Sequence, residues 1–205
     1  MIEHIIVGSK NVGKVEEWSR YFIEFGIETK NLSDFGELET PEETGSTFAE
    51  NARIKASGYA KRIHEYVFAD DGGYEIDFLD GWPGIRSRRI FPGEKEATDQ
   101  ELIDIVLERM KGVPREKRTV KLTSAAALSN PNGKIIFEDI AHSPGFITEK
   151  PGPVLIPGYP FRTIHFLPDL GKTYAELTPE ELKAHSHKRP VAKKLAEFLL
   201  KYNHA

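Results

Sequence analysis

Cysteine is absent from the 205 residues, which excludes disulfides, thiolate metal sites and a cysteine nucleophile together. An excess of positive charge is missing too. Acidic residues outnumber basic ones, 32 to 28, and the net charge is −4. That balance gives no broad electrostatic grip on a nucleic-acid backbone, so no nucleic-acid partner is expected. It leaves room for a local basic pocket that takes a phosphorylated small molecule. No apolar run approaches 18 residues, and the start of the chain shows no basic segment followed by an apolar one. No membrane association and a cytoplasmic location are the resulting expectations.

What is present reads as alternating strand and helix. Ile5, Ile6 and Val7 make a short buried-strand run, and Val15, Trp18, Phe22 and Phe25 then recur at helical spacing up to Gly26. A second helix carries Phe48, Ala52, Ala56, Tyr59 and Ile63 on one face, with Thr44 or Ser46 placed to cap it. "YVFADD" reads as a buried strand ending in two carboxylates, and the Pro- and Gly-rich "DGWPGIRSRRIFPGE" as an irregular segment. Leu102, Ile105, Val106 and Met110 predict a third helix. "TVKLTSAAAL" and "KIIFEDIA" predict strands around a turn at "NPNG", "GFIT" and "RTIHFLP" further strands, and Val191, Leu195, Phe198, Leu199 and Tyr202 a terminal helix after Pro190. The expected fold is α/β, a mixed sheet with flanking helices, in two lobes around one cleft.

Three stretches could carry chemistry. "GSKNVGKV" at residues 8–15 almost spells the phosphate loop G-x-x-x-x-G-K-[ST], but Val15 stands where a hydroxyl should hold Mg²⁺. Glu16 and Glu17 also follow where a phosphate would dock. What survives is a glycine-containing strand-to-helix turn with a lysine, a general anion site. Asp70 and Asp71 could bind Mg²⁺ or poise a water, or merely cap a strand-end turn; on a strand they point to opposite faces. On the second helix Asn51 and Lys55 share a face, which could equally be solvated surface. His185 and His187 form a His-x-His pair without an evident third ligand, so a zinc site is not the favoured reading. Trp82, Tyr159 and Phe161 could stack on a base or belong to the core.

The order of these pieces is more specific than any one of them. "SKNVGK", "TGSTFAENARIKA", "ADDGG", "DGWPGIRSRR", "GYPF", "TYAEL" and "SHKR" together resemble the inosine triphosphate pyrophosphatase family over about residues 5 to 195. The resemblance implies an elongated α/β fold, one domain over residues 1–205 with two lobes around a central nucleotide-binding cleft. It further implies a Mg²⁺-dependent homodimer that splits non-standard purine nucleoside triphosphates into monophosphate and pyrophosphate. It implies that Ser9, Asn11 and Lys14 hold the phosphate tail and that Lys55 neutralises charge. Asp71, with Asp70 beside it, would bind metal or orient the water, and Glu43 or Glu39 would complete the metal site. Ser87 and Arg89 fall in the S-x-R segment. Tyr159, Phe161 and Arg162 fall in the base-reading segment, and Ser186, His187 and Lys188 or Arg189 in the final S-H-R segment.

The chain is a divergent member on this reading. Gly72 stands where the family has a serine, and Arg162 where it has an aspartate, a reversal of charge. A shifted base preference is therefore one alternative, and a non-catalytic nucleotide sensor is another.

Overall fold

The computed structural model describes residues 2–90 and 96–204. Residues 91–95, which include the last part of the irregular segment, lie outside them. Among the described residues the strands are β1 (His4–Val7), β2 (Glu28–Asn31), β3 (Val67–Ile76), β4 (Thr119–Ser129), β5 (Ile135–Ile147), β6 (His165–Leu167) and β7 (Lys172–Thr173). The helices are α1 (Val12–Glu24), α2 (Phe48–Ile63), α3 (Asp99–Arg109), α4 (Pro179–His185) and α5 (Lys188–His204). The strands hydrogen-bond in the order β2-β1-β3-β4-β5-β6-β7, with β1 parallel to both β2 and β3 and β6 antiparallel to β5 and β7. The mixed sheet with flanking helices matches the fold class expected from the sequence.

The chain forms two compact units, and β3, β4 and β5 each pass from one to the other. The first unit comprises Met1–Asp71, Ser124–Ala141 and His187–Ala205. One face of its strands packs Ile5, Val7, Phe68, Ala126 and Leu128 against Trp18 and Phe22 of α1 and Val191, Leu195 and Leu199 of α5. On the other face Ile6 and Val67 meet Tyr59 and Ala60 of α2, and Ala69 and Ala127 meet Ala52 and Ala56. The second unit comprises Gly72–Thr123 and His142–Ser186. Its core joins Tyr74 and Ile76 to Leu102, Ile103 and Val106 of α3 and Met110 at its C-cap, with Phe161 and Ile164. Arg118 is buried there and donates to the carbonyls of Ile147, Met110 and Thr148 at 2.7, 2.5 and 2.5 Å. Its rigid fork thereby satisfies the end of α3 and the exit of β5 at once.

Local chemistry explains several boundaries. Gly8 is required by close approach: a Cβ there would sit 2.8 Å from Val67 Cγ1 and 3.0 Å from the Phe68 carbonyl oxygen. Helix α1 starts at Val12, capped by Asn11, whose side chain accepts from the Lys14 amide at 3.1 Å. Glu16 and Glu17 therefore stand in its second turn, not its first. The cap of α2 is Thr47, paired with Glu50 in a reciprocal capping box, rather than Thr44 or Ser46. The same device at Thr178 and Glu181, with Pro179 at the first helical position, starts α4, a helix the apolar pattern does not announce. Helix α5 begins at Lys188, ahead of Pro190, because a proline in the first turn sacrifices no intrahelical bond. Strand β3 runs on through Asp70 and Asp71 to Ile76, and "GFI" belongs to β5.

Candidate active site

Strand geometry divides the two aspartates. With a side-chain period of two, Asp70 shares the face of Phe68 and Asp71 that of Ala69. Asp70 therefore points toward α1 and α5, and its Oδ2 accepts from Lys14 Nζ at 3.0 Å. Asp71 points toward α2. Its Oδ1 lies 2.9 Å from Lys55 Nζ, and its Oδ2 accepts from Asn51 Nδ2 at 3.3 Å. Each carboxylate has its own lysine, reached from a different helix. The strand-end turn weighed from sequence is replaced by a paired-charge site inside a continuing strand.

Asp70 is the more deeply buried of the two. Burial works to raise its pKa, yet Lys14, Lys188 and Lys55 together outweigh it and bring the value down from 3.8 to about 2. Lys55 is also buried, which opposes its charge, but Asp71, Asp70 and Glu43 raise its pKa, so the ammonium is held charged. Lys55 Nζ lies 3.0 Å from Glu43 Oε1 as well as 2.9 Å from Asp71 Oδ1, so one ammonium bridges two carboxylates. Glu39, the alternative metal ligand expected from the sequence, is not part of this bridge. Its side chain is 89% exposed and lies 4.0 Å from Arg62.

The surroundings of this pair are built locally. Ser9 Oγ accepts from the Asn11 amide at 3.2 Å and Asn11 caps α1, so both organise the turn that presents Lys14. Asn51 ties the loop before α2 to the site: its Oδ1 accepts from the Gly45 amide at 2.9 Å while its Nδ2 reaches Asp71. From the sequence Asn51 was indistinguishable from a solvated helix residue; its four-residue spacing from Lys55 was the available signal. Glu17 was missed as well. It is buried on α1 and accepts from Lys188 Nζ at 2.8 Å. Of the two final cations of the S-H-R segment, Lys188 acts on Asp70, whereas Arg189 pairs with Glu24 at 2.5 Å. His187 is buried nearby in the chain.

The remaining site residues named from the sequence belong to the second unit. Ser87 Oγ donates to the Gly84 carbonyl at 2.7 Å in a turn after the cis Trp82–Pro83 bond. Its neighbour Arg88 donates to Asp99 Oδ1 at 2.6 Å, and Asp99 Oδ2 accepts from the Gly158 amide at 2.7 Å. Asp99 thus ties the S-x-R turn to the loop carrying Tyr159. The buried guanidinium of Arg162 lies 3.9 Å from the Tyr159 ring centroid and 5.1 Å from that of Tyr174. Phe161 belongs to the core, stacked on Tyr74 with centroids 4.7 Å apart, so the aromatic of this segment with greater exposure is Tyr159. Trp82 lies under Arg109, at 4.0 Å. Ser186 is buried at the end of α4, its amide bonded to the Leu182 carbonyl at 2.9 Å.

Among the described residues no three His, Cys, Asp or Glu side chains form a ready-made metal site. The donor set nevertheless suits Mg²⁺. Asp71 and Glu43 are hard oxygen donors converging on one resident cation, and Mg²⁺ takes one or two carboxylates and fills its shell with waters and phosphate oxygens. Among the described residues no helix is long and apolar enough to cross a membrane.

Comparison with known proteins bears on the whole chain. Residues 5–198 match the model of the Ham1 family. A protein of Halalkalibacterium halodurans named dITP/XTP pyrophosphatase is 40% identical over 195 residues, 95% of this chain and 97% of that protein. One of the same name from Geobacillus kaustophilus is 38% identical, over 96% and 94%. Among solved structures, a HAM1 protein from Coxiella burnetii aligns at a TM-score of 0.83 with 32% identity, covering 98% of this chain and 100% of that one. With the family model matched nearly end to end and relatives this similar over their full lengths, the chain belongs to the Ham1 family.

Proposed function

We propose that this protein is a nucleoside triphosphate pyrophosphatase that hydrolyses non-standard purine nucleotides such as deoxyinosine and xanthosine triphosphates to monophosphate and pyrophosphate, clearing them from the nucleotide pool. The observation that carries the reading is the pair of adjacent strand carboxylates, each held by its own lysine, in a chain whose close relatives bear that activity in their names. The family match runs through both units, which supports taking residues 1–205 as one domain with two lobes.

On this reading Lys14, Asn11 and Ser9 receive the phosphate tail at the N-terminus of α1, where amide dipoles and an ammonium favour an anion. Asp71 and Glu43 would hold Mg²⁺, which when bound would supply charge neutralisation on the phosphate oxygens. Asp71, oriented by Asn51, positions the attacking water against the anhydride linking the α and β phosphates. Asp70, kept ionised by Lys14 and Lys188, fixes Lys14 in its direction. Positioning and charge compensation are what phosphoryl chemistry asks of a protein, and no covalent nucleophile is needed. Tyr159 and Arg162 of the second unit read the base, supported by Ser87, Arg89, Phe161 and Ser186 of that unit and by His187 and Arg189 of the first. The enzyme works as a cytoplasmic homodimer, without nucleic acid.

The test is pyrophosphate release from a panel of nucleoside triphosphates, with and without Mg²⁺, beside Asp71→Asn. Turnover of inosine or xanthosine triphosphate that needs Mg²⁺ and falls at least about a hundredfold in the variant is expected. Binding of nucleotides without turnover would replace this reading with the sensor. A second reading, an altered base preference, is favoured by Arg162. A guanidinium only donates hydrogen bonds, so it selects base edges rich in acceptors. It expects Arg162→Leu to raise KM for the preferred nucleotide while leaving kcat within a few-fold.

A further inference from the structure

Lys55 occupies a position that a divalent cation would contest. Its ammonium lies 2.9 Å from Asp71 Oδ1 and 3.0 Å from Glu43 Oε1, bridging the two carboxylates proposed to hold Mg²⁺. Three further observations frame the consequence. The side chain is 11% exposed, so the bridge lies largely away from water and its charges are weakly screened. Asp71 keeps a second anchor, Asn51 Nδ2 at 3.3 Å, and Asn51 is itself fixed by the Gly45 amide at 2.9 Å. The orientation of Asp71 therefore survives departure of the lysine. Finally, the cluster sums Lys14, Lys55 and Lys188 against Glu17, Glu43, Asp70 and Asp71, three positive charges to four negative. It stands near neutrality without metal and turns positive when a divalent ion enters, which favours a polyanion next.

We infer that Lys55 is an exchangeable counter-cation, which holds Glu43 and Asp71 together in the free enzyme and must release them to a divalent metal, moving its charge to the phosphates of the incoming nucleotide. This inference rests on the pyrophosphatase reading. Lysine is suited to the exchange, being a compact charge on a flexible four-carbon stem with three rotatable donors. Two cations cannot share the same carboxylate pair at contact distance without strong repulsion. Metal alone therefore binds the free protein weakly, because it must displace an ammonium from both carboxylates and leave it only Asp70, which Lys14 already holds. A triphosphate provides a further anion. Lys55 thus couples the two ligands, and by linkage nucleotide binding is strengthened by metal by the same factor.

The experiment measures Mn²⁺ binding to the full chain by the loss of free-ion electron paramagnetic resonance signal, in the absence of nucleotide. Lys55→Met, which keeps the apolar stem and removes the charge, is expected to bind Mn²⁺ at least about tenfold tighter than the unaltered protein. Lys55→Gln repeats the neutral substitution with a polar head, and Lys55→Arg, which keeps the charge, is expected to stay as weak as the unaltered protein. A non-hydrolysable α,β-imido deoxyinosine triphosphate is expected to tighten Mn²⁺ binding more in the unaltered protein than in Lys55→Met. Unchanged or weaker Mn²⁺ binding by folded Lys55→Met or Lys55→Gln would overturn the exchange and make Lys55 a fixed partner of Asp71. Pyrophosphate release by the unaltered protein is scored separately. Its absence sinks the activity, while an active enzyme whose neutral variants bind Mn²⁺ no tighter sinks the exchange alone.

Discussion

His165 is enclosed in the second unit, with Nδ1 3.2 Å from the Tyr74 hydroxyl. Burial, first of all, lowers its pKa from 6.5 to about 4; the backbone at Pro144 opposes the shift and Arg162 adds to it. The unfolded chain takes up a proton between those values and the folded chain does not. Stability is therefore expected to fall as pH drops from about 6.5 to about 4, by about 3 kcal/mol. Asp70 behaves in the opposite sense chemically but adds to the same trend. Its pKa is depressed from 3.8 to about 2, so its contribution is present above 3.8 and is lost as pH falls toward 2. Urea midpoints measured from pH 7 down to pH 3 check both. His165→Phe should flatten the upper window and leave the lower one in place; a variant with the unaltered slope above pH 4 would mean that His165 titrates normally.

Helix α2 shows how an element's entrance sets the chemistry of its face. Thr47 accepts from the Glu50 amide at 3.2 Å, while the Glu50 carboxylate accepts from the Ser46 and Thr47 amides at 2.6 and 3.2 Å. Thr47→Ala should cost about 1 kcal/mol of stability by thermal or urea unfolding. Gly45, two residues earlier, faces Asn51 so closely that an added Cβ would lie 2.6 Å from its Oδ1. Gly45→Ala is expected to displace Asn51 and cut pyrophosphate release about tenfold or more, with a smaller effect on the melting temperature. Equal activity in that variant would remove Asn51 from the positioning of Asp71. The same element shows what the sequence could disclose. The apolar stripe of Phe48, Ala52, Ala56 and Tyr59 placed α2 correctly, because burial against a sheet imposes a helical period. The cap and the role of Asn51 were hidden, since Thr, Ser and Asn serve turns, caps and sites alike and only the third dimension separates those uses. Helix α4 escaped because its seven residues include no buried side chain, so no periodicity betrays it.

At the scale of the whole molecule, the units are assembled from segments far apart in the chain. The core of the first needs Ile5, Phe68, Leu128 and Leu195, drawn from all three of its segments. A fragment ending at Thr123 is therefore expected to lack cooperative thermal unfolding, measured by circular dichroism, because α1 would keep its apolar face without α5. The family and the fold class were legible because they depend on the order of motifs and on periodicity, both of which are one-dimensional. The choice of Glu43 over Glu39 was not, since both lie in an acidic stretch before α2 and only the path of that stretch brings one of them to Lys55. Strand β3 carries one more consequence. Its alternation hands Asp70 to one lysine and Asp71 to another, with Phe68 and Ala69 seated in step behind them. Evolution can therefore exchange side chains along residues 67–71 one at a time, whereas inserting or deleting a single codon there would turn every later residue of β3 to the opposite face.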